Sequence, residues 1–83
     1  MKEKLDIIQK EITEPMNKMD IIVDSIDFVN ENNYYFLKIV LDKVNGIDLD
    51  TIVEATNIIN PIIDKLDLIE EEYVLDISSK ERG

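Results

Sequence analysis

The spacing of the hydrophobic residues changes three times along this chain, and that alternation restricts the folds it can adopt. Between residues 2 and about 18 the apolar side chains recur every three or four positions, which predicts a helix. From residue 21 the period becomes two, from about Asp48 it is helical again, and near Tyr73 it returns to two. The sequence therefore predicts the element order α-β-β-α-β.

Both predicted helices carry a continuous apolar stripe and an internal proline. The stripe of the first helix consists of Leu5, Ile8, Ile12, Met16 and Met19, and that of the second of Ile52, Ala55, Ile59, Ile62, Ile63 and Leu66. Pro15 and Pro61 each remove a backbone donor, so we expect a kink or break near each. Asp48 is the expected N-cap of the second helix, with Asp50 in its first turn.

The two central segments predict a β-hairpin, with strands at residues 21–29 and 34–42 and a turn at residues 30–33. A third strand is predicted at residues 73–78. A right-handed crossover allows it to pair beside either hairpin strand, and the first is the favoured neighbour. The side chains expected to face the helices are Ile22, Ile26 and Phe28, then Leu37, Ile39 and Leu41, then Leu75 and Ile77.

The predicted fold class is therefore α/β (α+β): one domain over residues 1–83, in which two helices pack on one face of a three-stranded sheet. A chain of this length forms a single domain. The uncovered face of the sheet is expected to combine Val23, Val29, Phe36, Val40 and Val74 with Asp27, Lys38 and Asp76. This face is either an ordinary mixed surface or a surface that meets a partner.

The chain is strongly acidic, with 19 acidic and 9 basic residues and a net charge of −10. Residues 44–83 hold 10 of the acids and 3 of the bases, so most of the excess lies in the C-terminal half. Such a field repels nucleic acid phosphates and favours a basic protein as partner. The alternative is that the charge only keeps the domain soluble. No run of about 18 apolar residues is present, so no membrane span is expected, and a cytoplasmic location is the default expectation.

The residues that most enzymes depend on are missing. The chain has neither histidine nor cysteine, which removes imidazole bases, thiol nucleophiles and most zinc sites. The loop around Gly46 does not fit a calcium loop, since Lys43 and Ile52 would stand at ligand positions. We therefore expect no enzyme activity, no metal and no cofactor. A carboxylate-based enzyme and a self-associating structural module are the competing hypotheses.

Several short stretches, in this order and spacing, resemble the N-terminal domain of the ribosome maturation factor RimP family. They are EP at 14–15, DFV at 27–29, LKIVLDK at 37–43, GIDLD at 46–50 and EYVLDISS at 72–79. The resemblance covers essentially the whole chain. It implies a non-catalytic role in maturation of the small ribosomal subunit, by transient binding of that subunit or of a basic small-subunit protein.

The chain departs from the family pattern at two places. Family members usually continue from the Ser-Ser pair into a Pro-Gly sequence and a second, SH3-like barrel domain, whereas here Ser79 is followed by KERG and the barrel is absent. Either this is an excised domain or the natural chain is short. The glycine that often separates the first helix from the first strand is also missing near Met19 and Asp20, so this junction must turn without it.

Two groups of residues are the candidate functional positions. Glu70, Glu71 and Glu72 form the densest acidic cluster, and we expect them to steer a basic partner or, alternatively, only to solvate a loop. Ser78 and Ser79 correspond to the inter-domain junction of the family, and we expect the acidic cluster to lie beside the segment leading to it. A monomer is expected.

Overall fold

A computed structural model describes residues 1–80 of the chain and confirms the predicted order of elements. Its helices and strands are α1 (Lys2–Asn17), β1 (Ile22–Glu31), β2 (Tyr34–Asp42), α2 (Leu49–Leu66) and β3 (Tyr73–Ser79). Side chains of both helices join the same buried cluster as one face of the sheet, so both helices cover that face, as predicted.

The sheet has the order β1-β2-β3, with β1 and β2 antiparallel and β2 and β3 parallel. The expectation that the last strand pairs beside β1 is therefore wrong. The inward side chains of β2 are Leu37, Ile39 and Leu41, and all three are fully buried. Because β2 is the most completely apolar strand on the helix side, burial is greatest when it takes the centre and β3 lies beside it.

A bulge in β1 changes which side chains of that strand face the core. The pairing with β2 shifts between Val23 and Ser25, leaving Asp24 as the extra residue. Val23 is consequently buried, whereas Ile22 is 56% exposed. The expected inward position of Ile22 and outward position of Val23 are both wrong, because one extra residue reverses the alternation of a strand.

The core is entirely apolar among the residues that the structure describes. Its members are Ile8, Ile12 and Met16 from α1, Ala55, Ile59 and Ile63 from α2, Val23, Leu37, Ile39 and Leu41 from the sheet, and Ile21 and Ile69 from the connections. The predicted stripes of both helices are confirmed, with Leu5, Met19, Ile52, Ile62 and Leu66 packed at the rim.

Neither proline interrupts its helix, so of the expected kink or break the break is wrong at both positions. Helix α1 continues past Pro15 to Asn17, and α2 continues past Pro61 to Leu66. The carbonyl groups that lose a bond belong to residues 11 and 57, both on exposed positions, where water can replace the missing donor.

The connection from α1 to β1 turns on Asp20, which adopts the left-handed conformation with φ of 60°. Two backbone bonds close the helix end, from Ile21 N–H to the Met16 carbonyl and from Asp20 N–H to the Asn17 carbonyl, at 2.9 and 3.0 Å. This is a Schellman ending, in which Met16 and Ile21 are both buried. An aspartate therefore makes the turn at this junction, which lacks a glycine.

The hairpin turn is shorter than predicted. Strand β1 extends to Glu31, and only Asn32 and Asn33 connect it to β2, with φ of 54° and 70°. Two consecutive positive φ values are typical of a type I′ turn, which asparagine tolerates better than most residues. The predicted turn at Asn45 and Gly46 is confirmed, with φ of 71° and 87°.

Helix α2 begins as predicted, at the Asp48 N-cap. The Asp48 carboxylate accepts a hydrogen bond from the Thr51 N–H at 2.8 Å, and this bond lowers the pKa of Asp48 below its ordinary value. The C-cap of the helix is Asp67, the residue after its last turn. Asp67 has a left-handed backbone and donates its N–H to the Ile63 carbonyl at 3.0 Å.

The first prediction concerns the core. Ile39→Ala and Ile59→Ala should each lower the free energy of unfolding by about 2–5 kcal/mol, because each leaves a cavity at a fully buried position. Urea unfolding of both variants measures the loss. Ile22→Ala is the matched control and should cost less than about 1 kcal/mol, since Ile22 is largely exposed. Equal losses in all three variants would contradict the assignment of faces.

The second prediction concerns the turn at Asp20. Asp20→Gly should raise the free energy of unfolding by about 0.5–1 kcal/mol, because glycine adopts the left-handed conformation without steric cost. Asp20→Ala, which keeps a β-carbon and loses the polar group, should be destabilising. Thermal unfolding compares the two variants. A higher Tm for Asp20→Ala than for the parent protein would contradict a steric cost at this position.

The third prediction concerns pH. The folded-state pKa of Asp48 lies below its unfolded value, so its contribution is complete above the unfolded pKa of about 3.9 and is lost as the pH falls through the folded pKa. Asp48→Asn retains a capping oxygen but does not titrate there. The decrease in Tm between about pH 7 and about pH 3 should be smaller in Asp48→Asn than in the parent protein, whose other carboxylates are unchanged. Identical decreases in Tm for the two proteins would contradict a pH-dependent contribution of Asp48.

Candidate partner-binding site

The three candidate glutamates lie on the segment of residues 67–72, which connects α2 to β3. Glu70, Glu71 and Glu72 are all exposed. Directly before them, Ile69 is buried and Leu68 packs against the core. The segment is thus anchored by two apolar side chains and displays its carboxylates to solvent.

Tyr73 follows this acidic segment and lies against further carboxylates. Partial burial is the main reason that the pKa of Tyr73 is raised, and the charges of Asp64 and Asp67 raise it further. Two shallow clefts, one on each side of β3, share Glu72 and Tyr73. The cluster is therefore larger than the sequence indicated, because α2 contributes Asp64 to it.

An aromatic group supports the same end of the sheet. Phe28 stacks on Tyr35 with ring centroids 5.1 Å apart, and it meets Tyr73 edge to face at 6.4 Å. Such pairs contribute beyond the burial of their area. They hold the starts of β2 and β3 together, and Tyr34, 68% exposed, extends this aromatic end into solvent.

Ser78 and Ser79 lie at the other end of β3. Both are exposed, and their register partners on β2 are Val40 and Leu41. Lys80 then donates its backbone N–H to the Leu41 carbonyl at 2.7 Å, and its ammonium group pairs with Asp24 at 3.2 Å. These two contacts hold Lys80 against β2 and β1.

The expectation that the acidic cluster lies beside this junction is wrong. Strand β3 separates Glu72 from Ser79 by seven residues, which corresponds to about 23 Å in an extended strand. The two candidate regions are on opposite ends of the sheet and cannot form one site. The acidic cluster and the junction are close in the sequence, which suggested that they are close in space. The strand between them keeps them apart.

Structural roles account for the buried residues and the shifted pKa values within residues 1–80. Each buried residue in the range 1–80 is apolar, and no group of three or more acidic side chains in that range is placed to hold a metal ion. Lys38, Asp48 and Tyr73 have shifted pKa values, and hydrogen bonds or partial burial explain all three. Neither helix of residues 1–80 is long and apolar enough to cross a membrane.

Comparison with protein families matches residues 11–80 to the RimP N-terminal domain. The chain belongs to this family. The matched region begins within α1, includes all four of the remaining elements and ends at Lys80. The resemblance inferred from short stretches is therefore confirmed. RimP is a ribosome maturation factor, and a role in ribosome maturation is what membership of its family implies.

Within this RimP N-terminal domain, two features of the site could not be recognised from sequence. The ion pair between Asp24 and Lys80 joins residues 56 positions apart and depends on the bulge and on the strand order. The contribution of Asp64 depends on how α2 lies against β3. The acidic composition was the only signal of this site in the sequence. It indicated residues 70–72 but not Asp64, which α2 brings near them.

Proposed function

We propose that this domain assists maturation of the small ribosomal subunit by transient, non-catalytic binding in the cytoplasm. The family match carries the proposal. The geometry supports it, because the described part of the chain displays charged and aromatic surface and buries no polar group. The domain binds as a monomer, without cofactor, membrane or free nucleic acid.

The partner surface is basic: the small subunit itself or one of its basic proteins. Glu70, Glu71 and Glu72 lie near Asp64 and Asp67 and are exposed, so they add to one negative field at this end of the sheet. Exposed charges act over about 10 Å at 0.1 M salt. They would accelerate encounter with a basic partner more than they would strengthen the final complex.

The fourth prediction tests both the partner and the role of these glutamates. The domain should co-sediment with small ribosomal subunits at low salt, and the bound fraction should fall as salt rises from about 0.05 M to about 0.3 M. The variant Glu70→Gln, Glu71→Gln, Glu72→Gln should associate several-fold more slowly, measured by stopped-flow fluorescence with labelled domain. Its Tm should stay within a few degrees of the parent, since these side chains are exposed.

The control variant Glu3→Gln, Asp6→Asn, Glu11→Gln removes the same number of charges from exposed positions of α1. It should change the association rate less than the first variant does. Equal slowing by both variants would show a net-charge effect without a specific role for residues 70–72. A parent domain that fails to sediment at low salt would contradict the ribosomal function itself.

A further inference from the structure

The face of the sheet away from the helices, here named the outer face, is organised in rows that run across the strands. Register places Val29, Phe36 and Val74 side by side, then Asp27, Lys38 and Asp76, then Ser25, Val40 and Ser78. An apolar row therefore lies next to a charged row, and a row of small residues follows. Both helices of residues 1–80 pack on the opposite face.

The apolar row is accessible and small. Val74 is 51% exposed, and Val29 and Phe36 are half-buried by their own neighbours in the sheet. Three strands about 4.8 Å apart, with about seven residues each, give the whole outer face an area of about 300 Å², of which the apolar row is only a part. A mixed face of this size suits a weak, transient complex.

The charged row carries unbalanced negative charge. The Lys38 ammonium is 2.8 Å from Glu31 and 6.0 Å from the Phe36 ring centroid, so Lys38 leans towards the apolar row. Hydrogen bonding to Glu31, followed by the charge of Glu31, raises the pKa of Lys38, and the more distant charges of Asp76 and Asp27 raise it further. Within residues 1–80, Asp27 and Asp76 have no ion-pair partner within 4.0 Å.

Two occupants are disfavoured by this charge pattern. A second copy would bring its own Asp27 and Asp76 towards those of the first, and like charges without partners oppose association. An RNA strand would place phosphates against the same carboxylates. A protein segment that carries cations beside apolar side chains matches both rows at once.

We propose that the outer face docks a basic, amphipathic segment of a partner protein, with two arginines over Asp27 and Asp76 and apolar side chains on Val29, Phe36 and Val74. The proposal deepens the function proposed above, on which it rests for the identity of the partner. Asp27 and Asp76 are two strand spacings apart, about 10 Å. A helix presents residues i and i+7 at about the same separation, with i+3 and i+4 on the same face.

The experiment uses the ¹⁵N-labelled chain and a designed helical peptide with two arginines seven positions apart and leucines between them on one face. Amide resonances of the outer face should shift on titration, with saturation at micromolar to millimolar concentration. A second peptide of equal charge with glutamine in place of leucine should bind at least several-fold more weakly. Shifts confined to α1 or to residues 67–72 would overturn the proposal.

Variants separate the outer face from general acidity. Asp27→Asn with Asp76→Asn should weaken peptide binding about tenfold, whereas Asp6→Asn with Glu11→Gln, which removes two exposed charges from α1, should change it less than twofold. Val74→Ser should weaken binding several-fold without loss of charge, and it keeps the test decisive if the first variant does not fold. Equal losses in the outer-face and α1 variants would refute docking here.

Two further arms examine the disfavoured occupants. A uridine oligonucleotide that shifts the same amides as the peptide, or light scattering that shows dimers formed through this face, would overturn the proposal. Because the peptide assay needs no ribosome, its outcome is independent of co-sedimentation. Peptide binding at the outer face without subunit binding would remove the ribosomal function and leave the docking surface standing.

Discussion

Burial of the inward side of β2 is the constraint on which the rest of the fold depends. Leu37, Ile39 and Leu41 are fully buried, and they can be so only if β2 is central and both helices lie above it. In a chain this small there is one core, and its burial must offset most of the conformational entropy of folding. The strand order, the helix positions and the single covered face all follow from that requirement.

Within residues 1–80, the same requirement leaves the other side of the sheet without a covering helix. Two helices are enough for one face, so alternation along β2 necessarily directs Phe36, Lys38 and Val40 outward. Charge on that face limits aggregation, since Asp27 and Asp76 stand on the two edge strands. Within residues 1–80 the outer face thus follows from the placement of both helices on one side of the sheet, and its charges decide what can approach it.

Periodicity was sufficient to predict the elements, because each helix and strand alternates apolar and polar residues at its own period. The Asp48 cap and the turn at Gly46 were predicted from the residue types at those positions, because both depend on local chemistry. Periodicity failed at Asp24, because a bulge needs one extra residue that no local pattern marks. It failed again for β3, whose neighbours depend on the competition between strands for the centre of the sheet. At the site, composition was enough to predict that the glutamates are exposed. Their distance from Ser79 could be predicted only with the knowledge that a whole strand separates them.

The outer face illustrates how a strongly acidic domain can select a partner without a deep pocket. Lys38 neutralises Glu31 and lies near the Phe36 ring, so the face keeps one internal cation and two carboxylates that lack an ion pair within residues 1–80. A neutral apolar segment would contact the row of Val29, Phe36 and Val74 but would leave those carboxylates partly desolvated, which costs free energy. An acidic segment would add repulsion. Only a segment with both apolar and cationic groups avoids each cost, so specificity arises from what the carboxylates exclude as much as from what they attract.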